Sequence, residues 1–248
     1  MNNAMIKALA LAGLLVLGAT NLWAKTIVFA TDPTWPPMEF RTPSGEMVGF
    51  SLDYMRAVAK EAGFQARFQA VGWDDIFSGL AAGKYQAVCS SVSITEDRQY
   101  SMDFSEPYFK VSQAMVVQTK NPARSVEAMS GRTLGVLSAS TGLVAVKMSL
   151  GLKDKTYDQI DQAFADLAKG LIDGVVCDDP VAAQFVLRTP QYQGRFKIAV
   201  TMKNVDDEDY GVAVAKGDKE DLDLINQGIQ AVKAKGIDKE LTKKWLGQ

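Results

Sequence analysis

The chain has 248 residues, 47% of them hydrophobic and 23% charged, with a net charge of −2. This is enough for one large globular domain or two small ones, and it gives nucleic-acid binding no electrostatic support. The absence of histidine excludes a Ser-His-Asp or Cys-His catalytic site and a histidine-ligated metal.

Residues 1–24 read as a secretory signal peptide. Lys7 supplies a positive start, "ALALAGLLVLGA" (8–19) is an apolar run too short to span a bilayer comfortably, and Ala24 offers a small residue for cleavage. No cysteine follows the run, so a lipid anchor is not expected, and with no second long apolar run the mature chain is expected to be soluble and exported. From there strands and helices alternate. "TIVFA" (26–30) predicts a strand. "SLDYMRAVAKEAG" (51–63) predicts a helix, with Ser51 as N-cap, apolar residues at Leu52, Met55, Val58, Ala59 and Ala62, and Gly63 as its end. "QARFQAV" (65–71) is a strand, "DDIFSGLAAG" (74–83) a helix and "QAVCS" (86–90) a strand. The rhythm restarts with strands at 114–118 and 133–137 and a helix at 140–150 opened by a Ser-Thr cap. A strand at 156–160, a helix at 161–170, a strand at 173–177, a helix at 181–188 and strands at 197–200 and 210–215 follow. Two helical stretches broken near Gly236 close the chain. Such alternation predicts two successive α/β units, each a mainly parallel sheet covered by helices, and a return strand.

Cys89 and Cys177 each end an apolar run. A free cysteine there acts as a small buried hydrophobe; pairing in an oxidising compartment stays open until their separation in space is known.

Four polar stretches follow strands, at the carboxyl ends where open α/β folds bind ligands: "TDPTWPPMEF" (31–40), "SSVSITEDR" (90–98), "SASTG" (138–142) and "DDP" (178–180). Arg98 stands in the first turn of a helix, where the dipole prefers anions, and follows a cluster of hydroxyls. It reads either as a solvated surface arginine or as a fork for a carboxylate. "SASTG" offers a helix N-terminus with free N–H donors, a second anion site. Asp32 and Asp178 end strands and either cap turns or accept from an ammonium. Trp35 and Trp73 are core residues or pocket walls. Together these loops carry the set that an α-amino-acid zwitterion needs.

The sequence closely resembles the periplasmic amino-acid-binding proteins of ABC importers, solute-binding family 3. The resemblance covers about residues 25 to 248 and rests on "TDPTWPPMEF", "GEMVGFSLDYMRAVAKEAG", "GLAAGKYQAVCSSVSITEDRQYSMDFSEPYF" and "VCDDPVAA" in the family's order. It implies a type II two-lobe fold joined by a two-strand hinge, with lobe one from residues 25–110 and 207–248 and lobe two from 111–206. It implies that Arg98 binds the ligand's α-carboxylate, supported by the backbone N–H of Thr141 and by Ser140. Asp178 would accept from the α-ammonium with Ser91 and Ser93, and Trp35 and Trp73 would sandwich the ligand side chain. Asp32, Ser90 and Leu137 would line the side-chain end. No cofactor and no metal are implied; the partners would be a free amino acid and the importer's inner-membrane permease, and the protein would be a periplasmic monomer. Three residues depart from the family pattern: Ser51 and Gln86 where acids are usual, and Gly142 where a larger polar residue is usual, which would leave the side-chain end roomier. The competing implication is an exported cyclohexadienyl dehydratase acting on arogenate or prephenate, with Asp178 or Asp32 as its acid.

Overall fold

The computed structural model describes residues 25–202 and 208–247; the expected signal peptide lies outside the described residues. The chain opens with β1 (Thr26–Thr31), a small antiparallel sheet of β2 (Thr34–Trp35), β3 (Glu39–Arg41) and β4 (Met47–Val48), and α1 (Phe50–Ala62). There follow β5 (Gln65–Ala70), α2 (Trp73–Ala81), β6 (Ala87–Ser93), α3 (Glu96–Ser101), β7 (Met102–Phe104) and β8 (Phe109–Val111). The second run holds β9 (Gln113–Gln118), β10 (Thr133–Leu137), α4 (Thr141–Met148), β11 (Lys153–Tyr157), α5 (Ile160–Lys169), β12 (Gly174–Asp178), α6 (Asp179–Ala183) and β13 (Phe196–Thr201). β14 (Glu208–Ala215), α7 (Lys219–Ala234) and α8 (Ile237–Leu246) complete it.

Two sheets result. One has the order β5-β1-β6-β14-β7, with β8 also on β14; the other has the order β11-β10-β12-β9-β13. β1 pairs in parallel with β5 and β6, and β10 with β11 and β12, whereas β14 and β9 run antiparallel to their neighbours. The chain passes from the first sheet to the second between Val111 and Gln113, and β14 belongs to the first again. The same elements thus end at facing edges of two α/β lobes, so the polar strand ends meet.

Apolar periodicity accounts for the long elements. Leu52, Met55, Val58 and Ala59 of α1 are buried, and Gly63 ends the helix in the left-handed conformation at φ 77°. Its start differs from the expected one. Gly49 is the N-cap at φ 139°, where a Cβ would lie 2.1 Å from the Met38 carbonyl oxygen. Ser51 is buried inside the first turn and accepts a hydrogen bond from the Tyr108 hydroxyl. The close approach of two backbone segments, invisible to a cap rule, decided this. The strand expected at 156–160 begins earlier, and Ile160 opens α5 with its side chain buried. The helix expected at 181–188 is the short α6 followed by a π turn, Gln184–Arg188. Both cysteines are free and buried; the Cys89 thiol donates to the Ser51 carbonyl at 3.7 Å.

α7 packs on α1 at a glycine. A Cβ on Gly228 would lie 2.5 Å from the Val58 carbonyl oxygen and 2.6 Å from its Cγ1. Since extra volume in a close-packed interface costs about 1–3 kcal/mol, Gly228→Ala is expected to lower stability by that amount, read as a fall in urea midpoint at unchanged slope. A midpoint like that of the wild type would show that this helix pair yields without strain.

Candidate functional site

The first lobe supplies one wall. At the end of β1, Asp32 accepts from the backbone N–H of Trp73 at 2.8 Å, so its carboxylate holds the start of α2, and its own N–H donates to Ser90 Oγ at 2.9 Å. Burial raises the Asp32 pKa, against the Thr34 hydroxyl and the Trp73 N–H that favour the ionised form. At the end of β6 the register with β14 shifts, and Ser91 sits in the left-handed region at φ 47°. Strained non-glycine backbone of this kind persists where surrounding structure holds it; here it turns Ser91 Oγ to donate to Glu39 at 3.0 Å. Thr95 caps α3 by accepting from the Arg98 N–H at 3.3 Å. The Arg98 guanidinium donates to the Ser93 carbonyl at 2.9 Å and lies over the rings of Trp73 and Phe77 at 5.5 and 5.4 Å. Burial draws its pKa below the usual guanidinium value, while the charges of Glu208 and Asp178 pull it up.

The second lobe supplies the other wall. Leu137 ends β10. Ser140 caps α4, accepting from Leu143 N–H at 3.2 Å and donating to the Leu137 carbonyl at 2.7 Å, and Thr141 is the first helical residue. Asp178 ends β12. Its buried carboxylate accepts from Gln113 Nε2 at 2.6 Å, from Trp35 Nε1 at 3.0 Å and from the Tyr210 hydroxyl. Desolvation lifts its pKa to about 6; the charge of Glu208 adds to this, while the donors from Tyr210, Gln113 and Trp35 oppose it.

The lobes meet across the site. Trp35 of the first reaches Asp178 of the second, Trp73 Nε1 donates to the Ser138 carbonyl at 3.1 Å, and Arg98 donates to the Ala139 carbonyl at 3.3 Å. Between them lies a narrow cavity, partly open to solvent. Every candidate ligand-binding residue named from the sequence, from Asp32 through the serines and Arg98 to Asp178, lines it.

The cavity has further walls that sequence reasoning missed: Thr34, Glu39, Gln113 and Cys177. Glu39 is fully buried, and desolvation holds its carboxyl well above the ordinary range. The available signal was an acid between Met38 and Phe40 in an otherwise apolar stretch. Buried Gln113 donates to Asp178, to Thr141 Oγ1 at 3.2 Å and to Glu208 at 3.1 Å, so one amide ties both candidate ligand contacts of the second lobe to β14. Gly142 does not open the space expected of it. A Cβ there would lie 3.0 Å from Gln113 Oε1 and 3.2 Å from the Val176 carbonyl oxygen, so the Gln113 side chain fills that place.

Chemically, the arrangement offers a fixed guanidinium facing the N-terminal end of an eight-residue helix, suited to a carboxylate. It offers Asp178, held by three neutral donors and bonded to no cation among the described residues, suited to an ammonium. Trp35 and Trp73 provide flat walls. Asp32, Glu39 and Asp178 line the cavity together with Arg98, and the charges of Glu208 and Asp178 act on the Arg98 guanidinium.

Comparison with known proteins fits this geometry. The model of bacterial extracellular solute-binding proteins, family 3, matches residues 27–248. The probable histidine-binding protein of Neisseria gonorrhoeae is 33% identical over 84% of this chain and 78% of its own length. The ABC transporter arginine-binding protein 1 of Escherichia coli K12 is 30% identical over 98% of this chain and all of its own. The arginine-, lysine-, histidine-binding protein ArtJ of Geobacillus stearothermophilus superposes with a TM-score of 0.84 at 30% identity, covering 90% of this chain and 96% of its own.

Proposed function

This chain belongs to family 3 of the bacterial extracellular solute-binding proteins, and from that premise we propose that it captures a free L-amino acid with a basic or polar side chain between its lobes. It is an amino-acid-binding protein of the ABC-importer class, a transport protein and not an enzyme. In this reading Arg98 and the start of α4 hold the α-carboxylate, and Asp178, with Ser91 and Ser93, holds the α-ammonium. Trp35 and Trp73 enclose the side chain, and Asp32, Ser90 and Leu137 border its end. Lobe one takes residues 25–110 and 207–248 and lobe two 111–206, the crossings serving as a hinge. The mature protein works as a periplasmic monomer after cleavage near Ala24 and delivers its ligand to an inner-membrane permease. No described helix is long and apolar enough to cross a membrane.

The observation that carries the preference is the charge of the cavity. With the α-carboxylate matched by Arg98 and the α-ammonium by Asp178, the Asp32 carboxylate is left at the side-chain end, where it attracts a cationic side chain. An acidic side chain meets repulsion there, and the tryptophans favour a flat or cationic group.

A thermal-shift panel of the common amino acids tests this, since a ligand that binds only the folded state raises its melting temperature by mass action. Arginine, lysine, histidine or glutamine is expected to give the largest rise and glutamate and aspartate the smallest. A largest rise with glutamate or aspartate would overturn the preference. No rise with any amino acid would overturn capture itself.

A further inference from the structure

Arg188 lies outside the cavity and has no part in the reading above. It closes the π turn Gln184–Arg188, which follows α6 and packs beside β13 of the second lobe. Its guanidinium nevertheless reaches the first lobe. Nη1 donates to the Trp245 carbonyl at 2.6 Å and Nη2 to the Leu246 carbonyl at 2.7 Å, both in the last turn of α8. α8 is firmly part of the first lobe. Trp245 Nε1 donates to Asp53 of α1 at 2.9 Å, Lys244 pairs with the same carboxylate at 2.7 Å, and the Phe40 ring meets Trp245 edge-on at 6.0 Å.

The chemistry suits a deliberate contact. The last carbonyls of a helix lack intrahelical partners and carry partial negative charge, and a planar guanidinium donates to two of them at once. The adjoining residue makes room for it. Gly247 caps α8 at φ 76°, and a Cβ there would lie 2.9 Å from Arg188 Nη2.

This contact joins the lobes by a route separate from the crossing strands and from the bonds across the cavity. On opening, Arg188 travels with lobe two and the α8 carbonyls with lobe one, so both bonds belong to one orientation of the lobes. We propose that Arg188 is a positioning residue that latches α8 to lobe two in the closed arrangement and so slows ligand release. The inference rests on capture between hinged lobes. A residue that touches no ligand acts only on the balance of closed and open forms, and that balance scales the release of every ligand alike.

The test is stopped-flow tryptophan fluorescence, with L-arginine and L-glutamine as first probes and the remaining common amino acids after them, on wild type, Arg188→Ala, Arg188→Lys and Gly247→Ala. Loss of two charge-assisted but exposed hydrogen bonds is expected to speed dissociation about three- to tenfold, with association changed less than about twofold. The same factor is expected for each probe that binds, because selectivity belongs to residues Arg188 does not touch. Arg188→Lys, which keeps the charge and loses the fork, is expected to fall between, and Gly247→Ala to resemble Arg188→Ala. A mere loosening of the fold would lower the melting temperature and leave the dissociation rate alone. Normal binding by the wild type with an unchanged dissociation rate in Arg188→Ala overturns the latch and leaves the capture reading intact. A wild type that binds no amino acid overturns both.

Discussion

Arg98→Ala is expected to weaken amino-acid binding about thirtyfold at least, because truncating one partner of a buried, hydrogen-bonded charge pair costs about 2–5 kcal/mol and each 1.4 kcal/mol is tenfold. The guanidinium is held by groups of its own lobe. Within the first lobe the Ser93 carbonyl holds one arm and the guanidinium lies over the rings of Trp73 and Phe77; the Ala139 carbonyl takes the other arm where the lobes meet. Such pre-organisation spares the ligand the cost of ordering it. Arg98→Lys keeps a charge without the fork and is expected to recover part of the loss. Calorimetry on a variant with wild-type circular dichroism checks this. An affinity near that of the wild type in folded Arg98→Ala would remove Arg98 from the carboxylate site.

Asp178 is expected to make binding depend on pH. An ammonium needs the ionised carboxylate, and the pKa of about 6, set chiefly by desolvation, leaves that form incomplete in mildly acid solution. A bound ammonium favours the charged form and lowers the pKa, so binding releases a proton. Affinity is therefore expected to be flat well above pH 6 and to fall below it, by about tenfold per pH unit at most. The effect on stability has the opposite sense. A carboxyl whose folded pKa is raised contributes stability that is present below its unfolded pKa, near 3.8, and is lost as pH rises through about 6. Asp178→Asn is expected to bind about thirtyfold more weakly or worse at neutral pH and to flatten the profile. Calorimetry in buffers of different ionisation enthalpy counts the proton directly. A profile that keeps its inflection near pH 6 in Asp178→Asn would assign the proton to another group, and Glu39, whose raised pKa has the same cause, is the next to test.

Much of this protein is written in local sequence, and the reason is periodicity. Leu52, Met55, Val58 and Ala59 mark the buried face of α1, Gly63 and Gly170 end their helices, and Ser140 starts α4. The serines of β6, the Ser-Thr cap and Asp178 were legible because each polar group follows an apolar run, Arg98 because it stands against the dipole of the helix that follows, and strand ends gather on one edge of a parallel sheet. Strands as short as β2, β3, β4, β7 and β8 hold too few residues to show a period. Tertiary structure alone decided what depends on segments far apart in the chain. Ser51 lost its capping role because Gly49 packs on the Met38 backbone. Glu39 meets Ser91 from 52 residues away, Gln113 meets Glu208 from 95, and Arg188 finds its carbonyls 57 and 58 residues on. A hydrogen bond to a distant partner leaves no mark on its neighbours in sequence, because its energy depends on the position in space that only the packed lobes supply.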